Sequence, residues 1–150
     1  APVGIHKPIL NLLEPDIDTD NRLISQEDFE FPENGIFCGN IVVRGNVLIR
    51  RGAEIIGSVK ANGTLRIETG VSVTGSLISS KQLVIAQACI VGGPVVSEQS
   101  ISVDTGVVIG MTTKPTTLTA PAIHITCGSV IYGTVWARHQ GLVLSAGEIP

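Results

Sequence analysis

Glycine returns every eighteen residues. Gly39, Gly57, Gly75 and Gly93 stand at equal spacing, and the text after each is alike: Gly39-Asn-Ile-Val-Val, Gly57-Ser-Val-Lys-Ala, Gly75-Ser-Leu-Ile-Ser, Gly93-Pro-Val-Val-Ser. Repeats of this length mean stacked coils, because each unit is one supersecondary element that buries its apolar face only against its neighbours. The rest of the chain is therefore read as a preface and an ending to a stack.

Within each unit, counted from its glycine as zero, offsets two and four, eight and ten, fourteen and sixteen form columns. Offset two reads Ile41, Val59, Leu77, Val95, and offset ten reads Ile49, Ile67, Ile85, Val103. None of the 24 column positions in the four units carries a charge, while Arg44, Arg50, Arg51, Glu54, Lys60, Arg66 and Glu68 fall between the columns. A period of two is the signature of a strand, since successive side chains point to opposite sides. A gap of four is a corner. Three strands and three corners per unit predict an all-β fold, a triangular β-solenoid whose coils stack in parallel ladders roughly 4.8 Å apart. Aromatics are 3% of the chain, so aliphatic columns must build the core, each buried side chain contributing roughly 1.5–3 kcal/mol. Gly52, Gly70 and Gly106 share offset thirteen, which suggests a corner needing positive φ; Ala88 stands there in the third unit.

The fifth unit is irregular. Met111 takes the glycine position, and the next glycine in phase is Gly133, so four residues around Lys114 are extra. A sixth unit starts at Gly133 and ends near Gly141-Leu-Val-Leu. The stack is then about six turns of eighteen residues.

Charge divides the chain. Residues 1–38 have a net charge of −6 and residues 39–150 of +3. The expected organisation is an acidic N-terminal segment over 1–38, partly ordered or capping, and a β-helix domain over 39–150. In the segment, Ile9, Leu10, Leu12 and Leu13 form an apolar cluster too short for an independent helix. With one nearby base, Lys7, it is a poor membrane anchor. Asp16, Asp18, Asp20, Leu23 and Glu27 resemble the calcium loop of an EF-hand, with oxygen ligands at positions one, three, five and twelve. Asn21 replaces the usual glycine at the bend, and the competing reading is an exposed acidic turn. Phe29, Phe31 and Phe37 lie just before the repeats and, with Ile36, are placed to cap the first coil.

Chemistry is sparse. Cys38, Cys89 and Cys127 form no C-x-x-C pair, their number is odd, and no secretory signal precedes them, which points to a reducing, cytoplasmic setting. No apolar run is long enough to span a membrane. There is no P-loop, dinucleotide fingerprint or nucleophile elbow, so no catalytic, cofactor-binding or metal site is expected and the chain is not read as an enzyme. The rival for a triangular solenoid is the left-handed hexapeptide helix of acyltransferases and gamma-class carbonic anhydrases. That fold repeats a small residue after an aliphatic every six residues and needs histidines, whereas His6, His124 and His139 are scattered. His124, between inward Ile123 and Ile125, should point outward. Arg50, Arg51, Lys60 and Arg66 make a small basic patch without aromatic neighbours. It suits the acidic segment or an anionic lipid surface better than nucleic acid.

The stretch from Gly39 to Val59 and the run Val130-Ile-Tyr-Gly-Thr-Val-Trp-Ala-Arg138 resemble the bactofilin family of polymer-forming bacterial cytoskeletal proteins, over about 39–143. The resemblance implies a right-handed β-helix that polymerises end to end. It also implies a filament that scaffolds cell-shape or envelope proteins, often at the inner face of the membrane, without nucleotide. Strand edges at the two ends agree with that, since an uncovered edge recruits another. The residues expected to carry self-association are Phe37, Ile41 and Val43 at one end and Val135, Trp136, Leu142 and Leu144 at the other. The alternative is a non-polymeric binding module on the same fold.

Overall fold

A computed structural model describes residues 4–5, 16–17 and 21–144, with the side chains of residues 4, 5, 16 and 144 outside the description. Among the described residues every regular element is a strand. The strands stack in parallel, eighteen residues apart, into a β-solenoid of about seven turns.

Each coil contributes one strand to each of three faces. The first face stacks Arg22–Ser25, Asn40–Val43, Val59–Ala61, Leu77–Ser79 and Val95–Ser97. The second stacks Phe29–Phe31, Val47–Ile49, Leu65–Ile67, Gln82–Ile85 and Ser100–Val103. The third stacks Ile36–Cys38, Glu54–Ile56, Ser72–Val73, Ile90–Val91, Val108–Ile109 and Val130–Ile131. Register is kept between coils: Leu23 lies on Ile41, Ile41 on Val59, and Leu65 on Leu83. All 24 predicted column positions are at most 2% exposed. The interior is a set of aliphatic ladders, as the spacing requires.

The glycine that opens each unit has a steric reason. A Cβ on Gly57 would overlap the carbonyl oxygen of Gly39, and one on Gly39 would overlap that of Asn21. The coils approach each other there backbone to backbone. The second glycine position is conformational: Gly52, Gly70 and Gly106 have φ of 71°, 72° and 73°, and Ala88 holds φ 59° at the same corner. Polar corner residues satisfy backbone groups of the next coil. Asp28 Oδ1 accepts from the Asn46 N–H at 2.8 Å, and Asn46 Oδ1 accepts from the Thr64 N–H at 2.8 Å. Asn40 Oδ1 likewise accepts from the Ser58 N–H at 2.9 Å.

Three features depart from the sequence reading. First, the stack starts at Asn21 rather than Gly39. Residues 21–38 are a complete coil with Leu23, Phe31 and Phe37 fully buried and Phe29 4% exposed. The phenylalanines fill this coil from inside instead of covering it. Asn21 takes the glycine's place, with φ 59° and its Nδ2 donating to the Cys38 carbonyl. Second, the irregular unit contains two changes. Thr116 pairs with Gly133 and Leu118 with Val95, so residues 111–115 are a five-residue insertion. The following coil is one residue short at Pro121, and the net difference is the four counted. Third, with that corner shortened, Thr116–Thr126 runs unbroken over the first two faces, and Gly133–Leu144 follows it with a bulge opposite Pro121.

Candidate assembly surface at the C-terminal end of the coil

The last strand, Gly133–Leu144, pairs with Thr116–Thr126 on one side and with no described strand on the other. Its inward positions continue the columns: Val135 lies on Leu118, Ala137 on Ala120 and Val143 on Ile125. With no described coil above them they stay open. Val135 is 41% exposed and Val143 66%, whereas Leu118 and Ala120 one coil below are fully buried. Outward on the same strand, Trp136 is 66% exposed and Leu142 37%. Alternate residues of an edge strand leave N–H and C=O groups without a ladder partner. The end therefore combines open backbone groups with an uncovered aliphatic core and an exposed indole.

The N-terminal end is built differently, and here the expected association residues need correction. Phe37 and Ile41 are fully buried and Val43 is 1% exposed. They lie within the stack because the coil 21–38 precedes them. Two short antiparallel strands sit against that first coil. Gly4–Ile5 pairs with Ile36–Cys38 on the third face, and Asp16–Ile17 pairs with Arg22–Ser25 on the first. An antiparallel strand ends a parallel ladder, so a second solenoid cannot extend these two faces in register. Of the seven residues expected at the ends, Val135, Trp136 and Leu142 are on the surface of one strand. Phe37, Ile41 and Val43 are interior, and the side chain of Leu144 lies outside the described residues. Sequence reasoning missed Val143, which the inward spacing of the last unit could have supplied.

The calcium-loop reading falls partly on Asp18 and Asp20, which lie outside the described residues. Asp16–Ile17 and Arg22–Ser25 form an antiparallel strand pair, with Leu23 sealed in the core and Glu27 exposed at a bend. This is not the helix-flanked frame of an EF-hand. Among the described residues no group of three or more His, Cys, Asp or Glu side chains is placed to hold a metal.

The basic patch divides into two. Arg50 bridges coils, to Glu30 at 2.9 Å and Glu68 at 3.0 Å, and Arg51 pairs with Glu33 at 3.0 Å. Hydrogen bonds to Glu30 and then Glu68 hold the Arg50 pKa above its ordinary value, so its guanidinium stays charged at physiological pH. Glu30 and Glu33 belong to the acidic region, as its complementarity with the patch suggested. Lys60 and Arg66 lie elsewhere, exposed on the first and second faces.

Two open depressions occur on the second face and its corner. One is lined by Asp28, Glu30, Asn46, Thr64 and Arg66, the other by Arg50, Arg51, Glu68 and Thr69. Neither encloses a reacting centre. Cys89 is buried in its column, and burial pushes its thiol pKa up. Its Sγ donates to the Glu68 carbonyl at 3.0 Å. Cys38 is half-buried and Cys127 exposed. His124 is outward on the second face, between Ser102 and Leu142 of the neighbouring coils.

Compared with known proteins, the chain matches no family model, no curated protein and no solved structure.

Proposed function

We propose that this chain is a structural protein that self-associates through the C-terminal end of its coil and serves as a scaffold. The observation that carries the reading is the contrast within the columns. The column sealed through six coils from Leu23 to Leu118 opens abruptly at Val135, and the neighbouring column, already partly open at Ile125, ends on Val143 at 66% exposed. Exposing a ladder's end is costly unless another surface covers it, and the complementary surface nearest to hand is a second copy. The bactofilin-like stretches support the same function, a polymer-forming scaffold of bacterial cell-shape or envelope partners.

The covered N-terminal faces bear on how assembly proceeds. Joining through two open C-terminal ends gives a closed pair. A filament needs a second contact as well, such as the edge of Phe29–Phe31, which has no described strand beyond it. The blunted end favours, as a second reading, a binding module that pairs without polymerising.

Sedimentation of untagged protein across concentration, with electron microscopy of the heavier species, tests the proposal. Association that Val143→Asp abolishes without changing the melting temperature is the expected result. A monomer at every concentration and salt would remove it.

A further inference from the structure

The first coil of the stack has no full coil beneath it among the described residues, and the last strand has none above it. The two are in phase. The shortened corner at Pro121 is confined to one coil, because Arg138 and His139 together stand opposite Pro121 and restore the usual count. Position for position, Val135 then corresponds to Leu23, Ala137 to Ser25, Gly141 to Phe29 and Val143 to Phe31. A first coil set on the last coil of another copy would continue the ladders of the first and second faces, as Asn40–Val43 continues Arg22–Ser25. Side-chain size agrees, since Gly141 leaves room where Phe29 needs it. Asn21 at the opening position is no bar, because Thr116 stands there against Gly93 within the stack.

That edge already has an occupant. Asp16–Ile17 pairs antiparallel with Arg22–Ser25, and Ile17 lies on Leu23. Directly opposed residues of a ladder share a side of the sheet, so Ile17 stands at the foot of the Leu23 column. This is the place that Val135 of a second copy would take. The cover is thin. The strand is two residues long and Ile17 is 45% exposed, whereas Gly133–Leu144 brings twelve residues. What favours the short strand is its tether, since a segment of the same chain acts at an effective concentration of about millimolar.

We infer that the strand Asp16–Ile17 is an intramolecular competitor for the C-terminal end of a second copy, and that it sets the protein concentration above which molecules stack head to tail. With the strand docked, an open C-terminal end meets only its like, and the product is a closed pair. With the strand displaced, the C-terminal end meets the first coil with which it is in phase. That contact joins two unlike surfaces and does not close on itself, so the product is a rod. The inference rests on the self-association proposed above and adds what limits it.

The test is sedimentation and electron microscopy of the full chain over a concentration series. Ile17→Asp sets a carboxylate over an apolar column whenever the strand docks. It should form rods at a concentration at least about fivefold lower than the wild type, the worth of burying half an isoleucine side chain. Circular dichroism confirms that each variant keeps the stack. Asp16 and Ile24 are directly opposed, which is within reach of a disulfide. The double variant Asp16→Cys with Ile24→Cys, oxidised and shown by non-reducing electrophoresis to be linked within one chain, should form pairs but no rods. Reduction should bring the rods back. Equal thresholds for Ile17→Asp and the wild type would overturn the inference, and so would rods from the oxidised double variant. Either result leaves pairing through Val135 and Val143 standing. A wild type and an Ile17→Asp variant that are both monomeric at every concentration would remove the pairing and this inference together.

Discussion

The two ends of the solenoid use the same register and reach opposite outcomes. At the N-terminal end, the first coil carries three phenylalanines, all nearly or fully buried, and two of its three faces meet antiparallel strands. At the C-terminal end, the last strand repeats the aliphatic pattern with no described strand above it, and its inward valines are open. A parallel ladder has no intrinsic stop, because every coil presents the next one with the surface it itself rests on. Ending it takes a change of side-chain size or of strand direction. Among the described residues, one end has both and the other has neither.

That comparison can be broken or sharpened by mutation. The largest effect is expected from Val71→Asp, in the middle of the stack. It puts an unpaired charge at a fully buried position and should cost more than about 4 kcal/mol, seen as loss of the cooperative thermal transition. If this variant melts like wild type, the column assignment is wrong. Next come the ends. Phe31→Ala should destabilise by about 3–5 kcal/mol, the usual cost of emptying an aromatic site. Val135→Ala should cost about 1 kcal/mol or less while weakening association. Equal costs in denaturant titrations would mean that the two ends are equally closed. A smaller effect is expected at the positive-φ corner. Ala88→Gly should stabilise by about 1 kcal/mol by relieving left-handed strain. Gly70→Ala, where an added Cβ meets no atom within 4 Å, should destabilise by about as much.

The smallest effect concerns pH. Burial raises the Cys89 pKa in the folded protein. The folded state therefore holds this proton more tightly than the unfolded chain. The resulting stability is complete below the unfolded thiol value of about 8.5 and is lost as pH rises above it toward the folded value. Cys89→Ala should flatten the alkaline fall of melting temperature.

The interior was legible in the sequence because burial on a three-sided coil imposes a two-and-four spacing that few other folds share. The glycine at offset zero was visible for the same reason, as its place is fixed by contact between coils. The first coil was hidden by substitutions that keep the geometry but change the letters. Asn21 adopts the positive φ, Gly35 occupies an inward corner position, and the acids at Glu27, Asp28, Glu30 and Glu33 lie between the inward side chains. The insertion and the missing residue at Pro121 partly cancel, so counting between glycines gives their sum only. The antiparallel strands at the N-terminal end are two residues long each. No periodicity can signal so short an element. As a result, Val135, Trp136 and Leu142 are surface residues as expected, whereas Ile41 and Val43, correctly placed on inward columns, are not at an end, because the coil 21–38 with Phe37 in its interior precedes them.

The contact between Gly57 and Gly39, repeated where Gly75 meets Gly57, has a consequence for length. Because each coil touches only the coils beside it, one eighteen-residue unit can be duplicated without disturbing either end. Duplicating residues 57–74 should lengthen the rod by about 4.8 Å and leave both tips unchanged. Such a molecule is a ruler, its span set in fixed steps by the number of units.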